Sequence, residues 1–166
     1  MATMDPNEAL KAFAATISRQ TMGLVYHRPE PWAGVLRCFD NAEEKVRREG
    51  RGRVCYGWTF HDRIAIGKGP YLFATHHAVW HVPEGWLVDV TPFHEDPKHH
   101  PHGWDGNVLF LVDDAALPVQ IRGQITALPL RYFAVGDDPR LVEYVDGLRR
   151  EEEHKCRELY GRMQSG

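Results

Sequence analysis

Cysteine is scarce in this chain, and basic charge is not in excess. The three cysteines, Cys38, Cys55 and Cys156, stand far apart and form no C-x-x-C pair. That spacing excludes a disulfide framework or a cysteine zinc site and leaves at least one thiol free for chemistry. Lys and Arg number 20 against 23 Asp and Glu, a formal charge of −3. A protein that grips nucleic acid through a broad basic face shows the opposite balance, so no nucleic-acid partner is expected. No apolar run approaches the ~20 residues that span a bilayer. The first twenty residues carry Asp5 and Glu8 and lack the uninterrupted apolar core of a secretory signal. The expectation is a reducing, cytoplasmic setting with no membrane partner. What remains is an ordinary globular composition, 43% hydrophobic and 26% charged, enough for one domain over residues 1–166.

Local patterns divide that domain. Pro6 to Ser18 predicts a helix: Asp5 can cap it, Pro6 suits the first position, and Leu10, Phe13, Ala14 and Ile17 share a face. Tyr26 to Gly34 carries two prolines, Pro29 and Pro31, and predicts an extended loop. A second helix is expected from Arg37 or Cys38 to Arg48, with Phe39, Ala42 and Val46 as its stripe and Gly50 and Gly52 ending it. The period then changes. Val54–Phe60, Tyr71–Val82 and Trp86–Val90 are rich in aromatic and β-branched residues and read as strands, the last two joined through Pro83-Glu84-Gly85. Asn107–Val112, Val119–Thr126 and Leu130–Val135 are further strands, and Asp138-Pro139 opens a final charged helix. Helical part (about 6–50), sheet part (about 53–135) and C-terminal helix (about 138–162) together predict an α+β fold on a mainly antiparallel sheet.

Three residues form a possible reactive set: Cys38 at a helix start, His77 in a strand, and Asp89 at the end of the next strand. A thiol attacks well only as thiolate, which an imidazolium and a helix N-terminus both favour. A carboxylate on the second ring nitrogen orients the imidazole. With Pro83-Glu84-Gly85 as the turn, residues near 77 and 90 lie roughly opposite.

The run His77-Ala78-Val79-Trp80-His81-Val82-Pro83-Glu84-Gly85-Trp86-Leu87-Val88-Asp89-Val90-Thr91-Pro92 resembles the histidine–aspartate hairpin of transglutaminase-like proteins, within the papain-like superfamily. There the nucleophilic Cys precedes the hairpin at a helix N-terminus, in the order Cys, His, Asp. The resemblance covers about Arg37 to Pro92. It implies a papain-like fold and a cysteine hydrolase or acyl transferase. Such an enzyme would act on an amide or isopeptide bond of a protein or peptide through an acyl-thioester at Cys38, without a cofactor. Hydrolysis (peptidase, amidase or deamidase) is favoured over transglutamination. The chain departs from the pattern in having no glycine before Cys38, and in placing Asp40 close to the thiol, where a carboxylate opposes ionisation.

Bland readings stand beside these. Cys38 could be an inert core thiol, His77 a histidine satisfied by a carbonyl, and Asp89 a turn cap for Thr91-Pro92. His76 is the rival base, on the opposite face of the strand. For the oxyanion the Cys38 amide is the first candidate, with Tyr26 or Trp32 as side-chain donors. Asn41 and Trp80 are further substrate-facing candidates, although Asn41 also suits a solvated helix surface. Trp58, Trp80, Trp86 and Trp104 can supply a core and a cleft wall.

Histidine is abundant: ten in all, seven of them between His76 and His102. His94, His99 and His102 could ligate zinc or nickel, and the alternative function is a non-catalytic metal-binding or interaction module built on loop 94–102.

Overall fold

The computed structural model describes residues 4–164. Helix α1 spans Pro6–Ile17, and the Asp5 carboxylate accepts from the amides of Asn7 and Glu8, satisfying two of the donors a helix start leaves open. Its inward face (Leu10, Phe13, Ala14) packs with Trp58, Phe60, Leu72 and Leu111 in the largest core cluster. Strand β1, Met22–His27, follows. It lies inside the part expected to be helical, and its end replaces the beginning of the loop predicted from Tyr26. The segment has no strong local alternation; its neighbours hold it, Tyr26 pairing with Val88 in parallel and Met22 with Leu111 antiparallel.

Helix α2 runs Cys38–Glu49 and ends on Gly50 in the left-handed region, φ 63°. Two 13-residue strands, β2 (Arg53–Ala65) and β3 (Gly69–His81), form the long central hairpin. Then come β4 (Leu87–Asp89), a short 3-10 turn at Pro97–His99, β5 (Gly103–Trp104) and β6 (Asn107–Val112). Val119–Thr126, expected as one strand, is instead a small hairpin of β7 (Val119–Ile121) and β8 (Gln124–Thr126). Strand β9, Arg131–Ala134, adds to β3, and α3 runs Pro139–Gln164 with Leu141 and Val145 buried against Ala65.

The fold is α+β, and among the described residues every strand pairing is antiparallel except β1 with β4. The order β1-β4-β3-β2-β6 closes on itself because β6 also pairs with β1. Val25, Cys55, Val79 and Phe110 fill this small barrel. In the β2–β3 register, Cys55 faces Val79, Gly57 faces His77, Thr59 faces Thr75 and His61 faces Phe73. One face of the hairpin therefore runs from apolar barrel interior to polar side chains. On its other edge, β3 pairs with β4 only at Trp80 and His81 and with β9 only from Tyr71 to Ala74. The stretch between carries neither strand. A cleft opens there.

Candidate active site

Cys38, His77 and Asp89 meet at that gap and line one cleft of about 510 Å³. The β3–β4 register puts Leu87 beside His81 and Val88 beside Trp80. One further step sets Asp89 by Val79, so His77 is its diagonal neighbour on the same face. The expected pairing of 77 with 90 is off by one residue, which would have put the two side chains on opposite faces.

His77 Nε2–H donates to Asp89 Oδ2 at 2.8 Å, and the Thr91 amide donates to Asp89 Oδ1 at 2.9 Å. Asp89 is thus both the orienting carboxylate and the turn cap. Its carboxylate is almost fully buried. Burial alone would raise its pKa, but the His77 charge and the two hydrogen bonds hold it below the ordinary carboxylate range. Burial of the His77 ring likewise opposes charge. Asp89 and the neighbouring Cys38 sulfur outweigh it and hold the imidazole pKa well above its usual range. With Nε2 committed to Asp89, Nδ1 is the nitrogen left for the thiol. Below the ring, Phe110 makes an edge contact at 6.3 Å between centroids. Gly57, opposite His77 in the register, gives the Phe110 ring room: a Cβ there would stand 2.6 Å from Phe110 and collide with the Leu111 carbonyl.

Cys38 is buried and is the first residue of α2, whose N-cap Arg37 makes no side-chain cap. The Arg37 guanidinium turns to Asp40 instead, with Nε and Nη2 donating to Oδ2 at 3.0 and 2.9 Å. Asp40 is exposed and paired, which disposes of it as a charge facing the thiol. The first-turn amides, that of Cys38 included, are left uncapped by side chains and aimed as a helix start aims them, toward an anion. Leu36, just before, has φ 61°, a conformation costing an L-residue roughly 1–2 kcal/mol. Strain of this kind collects at functional turns that their surroundings over-determine.

Asn41 supplies part of that surrounding. It is buried rather than on the helix surface. Its Oδ1 accepts from the Gly34 amide at 3.0 Å, and its Nδ2 donates to the Gly34 carbonyl at 2.7 Å and to Thr91 Oγ1 at 3.2 Å. It ties the loop before Cys38 to the segment after Asp89 and faces no substrate.

The remaining substrate-facing expectations are corrected. Tyr26 is half exposed on β1 under the Arg28 guanidinium, away from the cleft. Trp32 sits beneath Arg48, nearly three turns down α2 from Cys38. Trp80 is buried, donates to the Arg51 carbonyl at 3.2 Å and lies under Lys45. None of the named tryptophans lines the cleft: Trp58 is core, and Trp86 and Trp104 are exposed. Its apolar walls are Phe39, Phe73, Phe93 and the prolines Pro92 and Pro101.

The other histidines have separate tasks. His76 Nε2–H donates to the Ala116 carbonyl at 2.7 Å while its Nδ1 accepts from the Leu128 amide at 2.9 Å. Both nitrogens are in use, and burial lowers its pKa to about 4, so it is no rival base. His94 Nδ1 accepts from the Asp96 amide, His100 Nε2–H donates to the His94 carbonyl, and His102 pairs with Asp62 at 2.9 Å. Only His94 and His99 of the three proposed ligands face the cleft. Among the described residues no three His, Cys, Asp or Glu side chains converge as metal ligands.

Sequence reasoning passed over Thr59, His61, Arg63, Phe73 and Thr75, all cleft-lining. Strand alternation could have found Thr75 and Phe73, two and four residues before His77; the β2 residues needed the register. Set against protein-family models, curated proteins and solved structures, the chain gives no match. No helix among the described residues is long and apolar enough to cross a membrane.

Proposed function

We propose that this protein is a cysteine-dependent hydrolase or acyl transferase of the papain-like, transglutaminase-like kind, acting on an amide or isopeptide bond of a peptide or protein. One observation carries the reading: a buried carboxylate holds His77 by Nε2 at 2.8 Å in the same cleft that Cys38, the first residue of a helix, also lines. That is the nucleophile–base–orienter arrangement that acyl transfer requires.

In this reading Cys38 Sγ attacks the scissile carbonyl and forms the C–S bond, and the oxygen takes the negative charge beside the Cys38 amide. The His77 imidazolium gives its proton to the departing amine as the C–N bond breaks. The acyl-thioester remains. Neutral His77 then accepts a proton from water, whose oxygen attacks the thioester; the acid leaves and Sγ is regenerated. An amine in place of that water gives transfer. An open cleft that admits water supports hydrolysis as the ordinary outcome.

Iodoacetamide at pH 7, with adducts mapped by mass spectrometry, tests the reading. Cys38 should alkylate at least tenfold faster than Cys55 or Cys156, with or without a chelator. His77→Ala should abolish that preference and Asp89→Ala should weaken it. Equal reactivity of Cys38 in native protein and in His77→Ala overturns the assignment.

A further inference from the structure

Beyond the triad, the cleft continues along the face of the central hairpin. Thr59 and Thr75 hydroxyls lie 2.6 Å apart, and His61 Nε2 is 3.2 Å from Thr75 Oγ1. His61 stacks on Phe73 with centroids 4.7 Å apart, and the Arg63 guanidinium lies 5.1 Å from the same Phe73 ring. Phe93, held against His27 at 3.8 Å, forms the facing wall.

The charges of this cleft are one-sided. Among the described residues Asp89 is the only carboxylate lining it, and His77 occupies that group. Arg63 donates to two carbonyls, those of Asp62 and Lys98, both at 2.7 Å. Among the described residues it makes no ion pair with a carboxylate. The acids near it turn elsewhere: Asp62 pairs with His102, Asp96 pairs with Lys98, and Glu95 is exposed and outside the cleft. The chain as a whole is acidic, yet this end of the cleft presents an uncompensated cation.

We propose that the cleft selects a substrate with an apolar segment beside the scissile amide and a carboxylate beyond it that meets Arg63. The inference rests on the cysteine-enzyme reading and names its substrate class. Arg63 stands six residues along β2 from Gly57, the partner of His77, about 20 Å at strand rise. Less the reach of the arginine side chain, that distance suits about three or four extended residues. Phe73 and Phe93 take the apolar part, the threonine hydroxyls meet main-chain amides, and the planar guanidinium accepts the carboxylate. A short peptide ending in a free carboxylate has this chemistry.

Three probes test it: N-chloroacetyl tripeptides with one phenylalanine, identical but for a C-terminal carboxylate, carboxamide or aminoethylamide. Their rates of adduct formation at Cys38 are read by intact mass. The carboxylate probe should label about tenfold faster than the carboxamide and the cationic probe slowest, with the spread shrinking in 1 M salt (Debye length about 3 Å). In Arg63→Gln the carboxylate advantage over the carboxamide should fall below twofold. An advantage absent from the native protein, an advantage surviving in Arg63→Gln, or an equal slowing of all probes by that variant overturns the proposal. The last result would make Arg63 only an anchor for the loop at Lys98. Failure of the enzyme reading looks different: the carboxamide probe would label Cys38 no faster in the native protein than in His77→Ala, and both proposals would fall.

Discussion

His77 owes its chemistry to neighbours that are ordinary in themselves. A carboxylate on one side, a sulfur on the other and a phenylalanine edge beneath hold one ring in one orientation. Gly57 is the least conspicuous member of this set. Its position opposite His77 admits Phe110 and the Leu111 carbonyl closer than any Cβ allows. Gly57→Ala should therefore cost about 3 kcal/mol by overpacking. It should also slow Cys38 alkylation in the fraction that still folds, as Phe110 is pushed under the imidazole. A urea midpoint within error of the native value would show that the strand relaxes freely and that this contact has no importance. The triad residues themselves were legible in the order Cys, His, Asp. Gly57 was not, because a glycine inside a strand gives no sign of what presses on it until the pairing is known.

At the scale of elements, the site depends on two segments being locked together: the loop that ends in Cys38 and the chain that leaves Asp89. Asn41 is the lock, with three hydrogen bonds spread over Gly34 and Thr91. Asn41→Ala leaves a buried amide, a carbonyl and a hydroxyl without their partner. The expected loss is about 2–3 kcal/mol, with Cys38 alkylation falling about tenfold and far-ultraviolet dichroism unchanged. Alkylation at the native rate in a folded Asn41→Ala protein would refute the clamp. Helix α2 was readable almost to the residue, because its apolar stripe, charge pairs and glycine stop are local signals. Strand β1 was hidden, because Met22–His27 is a strand only by virtue of β4 and β6 on either side. The histidines of 94–102 misled in the opposite sense. Their clustering in sequence suggested one metal site, but loop geometry sends His100 and His102 to different partners.

The whole molecule carries an acid liability in two buried imidazoles. His76 and His61 are held neutral, each with its pKa lowered to about 4, chiefly by burial. A base whose folded pKa lies below its unfolded value contributes stability that is complete above about 6.5 and is lost as pH falls toward 4. Between pH 7.5 and 5.0 each should cost about 2 kcal/mol. His77 works the other way: its raised pKa makes its contribution complete below about 6.5, and that is lost only as pH climbs through the raised value. Urea unfolding should therefore show the midpoint dropping from pH 7.5 to 5.0. His76→Gln, which can still donate and accept, should flatten that drop by about half. An equally steep drop in the variant would remove His76 from the explanation.

Taken alone, the order of residues determined the element types, the α+β class and the chain order of the reactive trio. Each depends on interactions within a few positions: caps, helical stripes, strand alternation and turn residues. Tertiary structure decided the rest. Closure of β6 onto β1 made a barrel and enlisted a strand without local signal. The gap along β3 between β4 and β9 opened the cleft, and the register of β2 against β3 chose Thr59, His61 and Arg63 to face it. These are pairings between distant segments. Their free energy comes from burying surfaces against one another, a quantity that no window of neighbouring residues contains.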